Sequence, residues 1–134
     1  MIRRLSRDIA AATIVEFALI APIFCTMILM IVQSGIAFQQ WNALQSTART
    51  ATRCLAISSP RCTVAAPGVA DPGVAYAMQV ARTYGVTNVT ADMVTTGTTA
   101  PSNGVTYQQV SIVFPVSILG KTVTLRASDR FPQP

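Results

Sequence analysis

The sequence predicts an α+β protein in which a long N-terminal helix packs on a small antiparallel sheet of three or four strands. Two observations lead to this prediction. A helical spacing of apolar residues extends from the N-terminus to about residue 56. After residue 85, segments rich in Val, Ile, Thr, Tyr and Phe alternate with turn signals, which is typical of strands.

The composition indicates that part of the chain is not in water. Of its 134 residues, 51% are hydrophobic and 11% are charged, whereas a soluble domain usually has about a quarter charged residues. The chain has no histidine and only five carboxylates, which excludes Ser-His-Asp triads, Cys-His dyads and His-containing metal sites. The acids are isolated and no phosphate-binding glycine loop is evident. We therefore expect no enzymatic activity and no cofactor.

The first element of the predicted fold is a membrane-spanning helix. No charged residue occurs from Phe17 to Ala48. A bilayer requires roughly 20 helical residues, and either residues 9–32 or residues 17–38 supply them. Three arginines lie within the first seven residues, whereas the first basic residue after the apolar run is Arg49. The positive-inside rule therefore predicts a cytoplasmic N-terminus and an outward-facing remainder.

A cleaved secretory signal peptide is the alternative interpretation of this apolar run. Signal peptides have an apolar region of about 7–15 residues that ends in a small-residue cleavage site. This run is longer, and Gln33-Ser34-Gly35 leads into further helix-compatible sequence. We therefore favour a helix that stays in the membrane. Pro22 within it predicts a kink or a local gap in backbone hydrogen bonding.

The helical spacing continues beyond the apolar run as an amphipathic extension. Polar side chains fill one face, and Ser58-Ser59-Pro60 predicts the end of the helix after about Ala56. Trp41 is either an anchor at the membrane–water interface or a core residue under the sheet. The apolar stripe of the extension consists of Ala37, Trp41, Leu44, Ala48, Ala51 and Leu55.

The rest of the chain is predicted to form a small α/β module. A turn at Asp71 followed by residues 74–84 predicts a short helix that ends at Gly85. We expect residues 131–134 to form a tail with little structure. Such a module is marginal alone, so the apolar stripe of the long helix is expected to form its second layer. Three strands are predicted, at residues 86–94, 105–116 and 122–127.

Two of the three cysteines flank the predicted helix end. Cys54 and Cys62 are separated by seven residues, whereas Cys25 lies inside the apolar run. An oxidising compartment permits Cys54 and Cys62 to form a disulfide, which contributes about 2.5 kcal/mol if it restricts the unfolded chain. Two independent thiols are the alternative. A metal site is not expected from two cysteines without histidine.

Glu16 is the acidic residue that the apolar run retains, between Val15 and Phe17. An acid in the middle of a membrane costs on the order of 2.5–3.5 kcal/mol, so a retained one usually has a partner or a role. In the alternative interpretation the span begins after Glu16, and the carboxylate then lies among the headgroups at little cost.

The residues around Glu16 form a sequence pattern that is similar to that of a known protein family. Residues 11–24 read Ala-Ala-Thr-Ile-Val-Glu-Phe-Ala-Leu-Ile-Ala-Pro-Ile-Phe, which resembles the N-terminus of TadE-like proteins. These are minor pseudopilins of tight-adherence (Flp-type) pilus systems, within the type IV pilin superfamily. Residues 48–53 are similar to the Ala/Arg segment that follows the membrane helix in that family. The pattern does not separate the TadE type from the TadF type.

The resemblance implies a pilin-like fold and a processing step. A prepilin peptidase would cut between Ala11 and Ala12, which leaves Glu16 as the fifth residue of the mature chain, followed by Phe17. One departure concerns Ala11, because the family commonly has Gly before the cut. The Glu-Phe pair and the sizeable outer module favour a minor component over the bulk filament subunit.

The resemblance also implies an organisation and a set of partners. Residues 1–11 are expected to be a basic cytoplasmic leader, residues 12–57 a long helix whose first half crosses the bacterial inner membrane once, and residues 58–134 a periplasmic module. The expected partners are the lipid bilayer, the prepilin peptidase, other pseudopilins and pilus subunits, and the inner-membrane assembly platform. Incorporation into an extracellular pilus follows if the chain enters the shaft.

A physical reason supports a docking role for Glu16. Cleavage creates a cationic amine at Ala12, close to lipid depth, and an ion pair with Glu16 would relieve the cost of both charges and set axial register. The competing function is a single-pass anchored module whose sheet recognises an envelope protein or a polysaccharide. The net charge of +5 is dispersed, and Arg49 and Arg53 share a helix face without interleaved aromatics, so no nucleic acid partner is expected.

Overall fold

The computed structural model describes the backbone of residues 2–102, 104–118 and 120–133, and the side chains of 13–99, 104–118 and 120–133. The predicted α+β class is confirmed. Two short 3₁₀ turns, Pro60–Cys62 and Ala91–Met93, lie in the connections. The helices and strands are, in chain order, α1 (Ile2–Ala56), α2 (Pro72–Thr83), β1 (Val94–Ser102), β2 (Val105–Ile118) and β3 (Lys121–Pro132).

The chain divides into two compact units, Met1–Gly35 and Ile36–Pro134, and helix α1 contributes to both. The first unit consists of the N-terminal part of α1, which continues as a helix through Pro22. The second unit contains the rest of α1, helix α2 and the three-stranded sheet.

The core of the second unit lies between α1, α2 and one face of the sheet. Leu44, Ala48 and Ala51 of the predicted stripe are fully buried, and they pack in one cluster with α2 residues such as Ala77. Alanine at these positions lets the backbones of neighbouring elements approach closely, so the small apolar side chains suit a thin core. The predicted second layer for the sheet is therefore present.

Two threonines of α1 are also fully buried, which the periodicity did not predict. Thr47 donates a hydrogen bond to the Ala43 carbonyl at 2.8 Å, within the helix. Thr52 donates to the Ala48 carbonyl at 2.6 Å and lies 3.3 Å from the Asp129 carbonyl of β3. Both hydroxyls thereby donate to backbone carbonyls, so the free-energy cost of burying them is small. Thr52 in addition connects the helix to the edge of the sheet.

Helix α2 begins and ends at recognisable signals. Asp71 is its N-cap and accepts a hydrogen bond from the Gly73 backbone N–H at 2.8 Å. At its other end the Val86 N–H reaches the Ala81 carbonyl at 2.9 Å, and the Gly85 N–H reaches the Arg82 carbonyl at 3.0 Å. This pattern is a Schellman motif, which requires the left-handed backbone that Gly85 adopts at φ 86°. The predicted helix and its end are thus confirmed.

The sheet is antiparallel with the strand order β1-β2-β3. Its central row pairs Val94 with Ile112 and Ile112 with Ala127, and all three side chains are buried. Strand β2 alternates accordingly, with Val110 and Phe114 also in the core. The neighbouring side chains of each strand point to the other face, which is mostly polar but also carries Val113 and Pro115.

The predicted position of the first strand is wrong. Residues 86–93 form a loop and the 3₁₀ turn, and β1 begins at Val94. Val86 and Val89 are nevertheless buried, so their apolar character reflects core packing of a loop rather than strand pairing. The segment that pairs with β2 is rich in threonine and contains Gly97. Glycine weakens a strand intrinsically, and pairing with β2 overrides that weak preference.

The prediction of a tail with little structure is also wrong. Strand β3 extends to Pro132, because Phe131 pairs with Gln108 and Pro132 with Tyr107. The backbone N–H of Gln133 then donates to the Thr106 carbonyl at 2.8 Å. Proline is tolerated because β3 is an edge strand, where one side of the backbone needs no donor. Pro134 lies outside the described residues.

Candidate functional site

The candidate site lies in the first unit, where the predicted processing and docking residues follow one another along α1. The backbone of Ala11 and Ala12 is helical, and their side chains lie outside the described set. Glu16 is exposed, and the neighbouring Phe17 side chain is 73% exposed. Ala12 and Glu16 are four positions apart in a helix, a spacing that places two residues on the same face in adjacent turns.

The helix segment that follows Glu16 is apolar and exposed. Over the most apolar stretch of Thr13–Ala56 the mean hydropathy reaches 2.4, and none of that stretch is buried. By length and composition this helix is able to cross a membrane. The exposed apolar side chains of the first unit include Ile20, Ile23, Phe24, Met27, Leu29 and Ile31. Water does not favour such a surface, and lipid does.

Glu16 stands apart from the other polar side chains of this segment. Thr26 donates to the Ile23 carbonyl at 2.8 Å, and Ser34 donates to the Met30 carbonyl at 2.7 Å, so both hydroxyls are satisfied within the helix. None of the side-chain hydrogen bonds between residues 13–99 involves Glu16. A carboxylate has no donor of its own when ionised, so it needs a cation or a donor from outside this segment.

The disulfide joins the end of α1 to the 3₁₀ turn after it. Cys54 and Cys62 are bonded, with Cα atoms 5.8 Å apart. Cys62 is buried, whereas Cys25 in the apolar segment is an exposed free cysteine. The link closes the chain reversal at Ser58, which has a left-handed backbone with φ 48°. The predicted pairing is thus present in the structure, and the alternative of two independent thiols does not describe it.

Asp71 is a carboxylate of the second unit whose two oxygens both accept hydrogen bonds. The Thr96 hydroxyl of β1 donates to one carboxylate oxygen, and the Gly73 N–H donates to the other at 2.8 Å. The Thr96 bond, together with the backbone N–H groups of Gly73 and Val74, lowers the pKa of Asp71 against a smaller opposing effect of burial. Sequence reasoning identified the helix start but missed Thr96, because its partner is distant along the chain.

The outer face of the sheet is polar and carries shallow cavities. One has a volume of about 230 Å³ and lies over Gly97, beside Thr95 and Gln109. Another, of about 330 Å³, adjoins Gln109, Ser128 and Arg130. Antiparallel sheets commonly have one solvated face. Within the described residues no group of three or more Cys, Asp or Glu side chains is arranged to hold a metal ion.

Trp41 lies outside the core of the second unit. Its side chain is 38% exposed, whereas Leu44, three residues later, is fully buried. The Trp41 ring is 5.9 Å from the ring of Phe38, which is itself 62% exposed. The interpretation of Trp41 as a core residue under the sheet is therefore wrong.

Comparison with known families places the candidate site in a recognised segment. Residues 11–53 match the family described as TadE-like protein. The match includes Ala11, Ala12, Glu16 and Phe17, together with the start of the amphipathic extension. Neither the curated proteins nor the solved structures contain a significant match. The resemblance to TadE-like proteins is confirmed over residues 11–53, a segment that ends three residues before α1 does.

Proposed function

We propose that this chain is a minor pseudopilin that takes part in assembly of a tight-adherence (Flp-type) pilus. The family match over residues 11–53 supports involvement with such a pilus system. In this proposal the chain is not an enzyme. It is anchored in the bacterial inner membrane by α1, with a cytoplasmic N-terminus and a periplasmic second unit, and its partners are the prepilin peptidase, other pilus subunits and the assembly platform.

Glu16 carries the proposal. A carboxylate that is exposed among apolar side chains is expensive in lipid unless a cation neutralises it. No hydrogen-bond partner for it occurs along the helix between residues 13 and 38. The proposed cation is the amine that peptidase cleavage creates at Ala12, in the same chain or in a neighbouring subunit. Such a pair fixes the axial position of one helix against another, because any other register leaves a charge in lipid.

The processing step has a direct test. Mass spectrometry of the mature protein from its host should show a chain that begins at Ala12. A chain that retains Met1 would instead support the competing function, a single-pass anchored module. The cavities over Gly97 and beside Arg130 are the surface that such a module would offer to a ligand.

The docking role has a test in Glu16→Gln. We expect this variant to enter the membrane as well as the wild type does, because the change removes a charge from an apolar helix. We expect pilus assembly to fall about tenfold or more, since loss of a buried ion pair is worth at least ~1.4 kcal/mol. The measurement is the amount of pilus on cells that produce equal levels of each variant.

Two controls make the result specific. Glu16→Asp keeps the charge and should retain more assembly than Glu16→Gln, and Thr26→Ser changes the same helix without altering its charge. Normal piliation in Glu16→Gln would refute the docking role, whether or not the peptidase still cleaves the chain.

A further inference from the structure

The exposed aromatic pair of Phe38 and Trp41 is a feature that the docking role of Glu16 does not use. The two rings lie one helical turn apart on α1 and are 5.9 Å from each other. Both belong to the second unit, and both are exposed at 62% and 38%, respectively. Their neighbours Leu44 and Ala48 are fully buried, so this pair marks the place where α1 changes from apolar exposure to core packing.

We infer that Phe38 and Trp41 bind the lipid headgroup region and define the outer boundary of the membrane span. The first argument is position along the chain. A span that begins at Thr13, so that Glu16 lies within it, and uses about 25 helical residues is complete near Ala37. The aromatic pair follows at once, at the depth where amphipathic rings are enriched in membrane proteins.

The second argument is the polarity of the neighbouring residues. Gln39 and Asn42 lie beside the pair and are exposed, whereas the exposed side chains of Met30, Ile31 and Val32, earlier in α1, are apolar. Uncharged amides are compatible with the hydrated headgroup layer and are unfavourable in hydrocarbon. Tryptophan combines a large apolar ring with one N–H donor, so its free energy is lowest where one end is dry and the other is wet.

The third argument concerns the occupant of this surface. Exposed apolar side chains recur along α1 up to Val32 and again at Ile36 and Phe38, so lipid is the medium expected at the pair as well. We commit to lipid as that medium. The inference requires the membrane anchoring that the proposed function also requires, but it does not require a role in a pilus.

The test uses Trp41 itself, because the chain contains a single tryptophan. The full chain is reconstituted at low protein density in vesicles of phosphatidylcholine and phosphatidylglycerol. Its fluorescence is then quenched with acrylamide in the water, with lipids brominated near the headgroup end of the acyl chain, or with lipids brominated near the bilayer centre. A matched control, Trp41→Phe with Tyr107→Trp, moves the reporter to strand β2, where Tyr107 is partly exposed.

We expect the strongest lipid quenching of Trp41 from bromine near the headgroup end. Its acrylamide quenching should be about threefold or more weaker than that of the control reporter, because the headgroup layer shields the ring. Stronger quenching from the bilayer centre would place the boundary elsewhere and overturn the inference. Equal acrylamide quenching of the two reporters without lipid quenching would also overturn it, as would shielding of Trp41 from both kinds of quencher, which indicates a protein contact.

Flotation with the vesicles separates this inference from the proposed function. A chain that floats while Trp41 behaves as an aqueous residue refutes only the boundary. A chain that does not float refutes the boundary and the membrane anchoring together.

Discussion

The two units treat the same kind of side chain in opposite ways. In the first unit Leu29 is 55% exposed, whereas in the second unit Leu44 of the same helix is completely buried. The exposed leucine suits contact with lipid, and the buried one fills a protein core. Apolar character alone therefore does not define a core. The chain context decides which solvent the side chain avoids.

The carboxylates show the same contrast. Asp71 in the second unit accepts hydrogen bonds from Thr96 and from the Gly73 backbone, which lower its pKa. Glu16 in the first unit has no such arrangement among the described side chains of its segment. An acid with its donors built in contributes to folding, whereas an acid without them is free to contribute to association.

The largest change in stability is expected from a test of the contrast between Leu44 and Leu29. Leu44→Ala should lower the free energy of unfolding of the second unit by about 3 kcal/mol, because it leaves a cavity in the core. Leu29→Ala should change it by less than about 0.5 kcal/mol, since its side chain contributes nothing to that core. Thermal unfolding of the full chain in detergent, followed by near-ultraviolet circular dichroism, measures both. Equal effects would show that the two leucines share one environment.

A second, slightly smaller effect compares the cysteines. Cys54→Ala with Cys62→Ala should lower the free energy of unfolding by about 2.5 kcal/mol, because the disulfide restricts the unfolded chain. Cys25→Ala should leave stability within about 0.5 kcal/mol of the wild type, since this exposed thiol lies in the first unit. Denaturation with and without a reducing agent checks the assignment. A reductant that leaves wild-type stability unchanged would contradict it.

The smallest expected effect concerns Asp71. Asp71→Ala should cost about 1 kcal/mol through loss of the N-cap. Asp71→Asn retains a capping side chain but removes the titration. Because the pKa of Asp71 is lowered in the folded state, its ionisation stabilises the fold above the unfolded pKa of about 3.9, and this contribution disappears as the pH falls through the folded pKa.

Stability measured against pH provides the check on Asp71. The wild type should exceed Asp71→Asn in stability near pH 6, and the difference should shrink below about pH 4. Asp92→Asn is the matched control, because it makes the same substitution at an exposed acid in the 3₁₀ turn. A difference that is constant with pH would show that the cap acts without its charge.

Much of the fold could be predicted from local patterns. The end of α1 at Ala56, just before Ser58, the start of α2 after Asp71 and its end before Gly85 all follow from residues that act on their own backbone neighbours. Glu16 was singled out as a candidate docking residue because a charge in an apolar run is visible without a structure. These signals are local, so the sequence is sufficient to read them.

Other features needed the tertiary structure. Strand β1 has a weak strand preference and forms because β2 offers a partner. Thr52 is buried because a carbonyl of β3 lies nearby, and Thr96 meets Asp71 across 25 positions of the chain. Periodicity classifies threonine as polar and assigns it to the surface, so it has no means to predict these contacts.

The amino-acid sequence by itself determined that α1 has an apolar half, that one acid, Glu16, directly precedes its charge-free run, and that the chain is α+β. Each of these depends on residue type and spacing, because these determine how much apolar surface a segment exposes and whether it is long enough to cross a bilayer. Only the tertiary structure decided which apolar residues form a core, which threonines are buried and whether Trp41 is free to meet a membrane. Those outcomes depend on contacts between residues far apart in the chain, whose geometry no local pattern encodes.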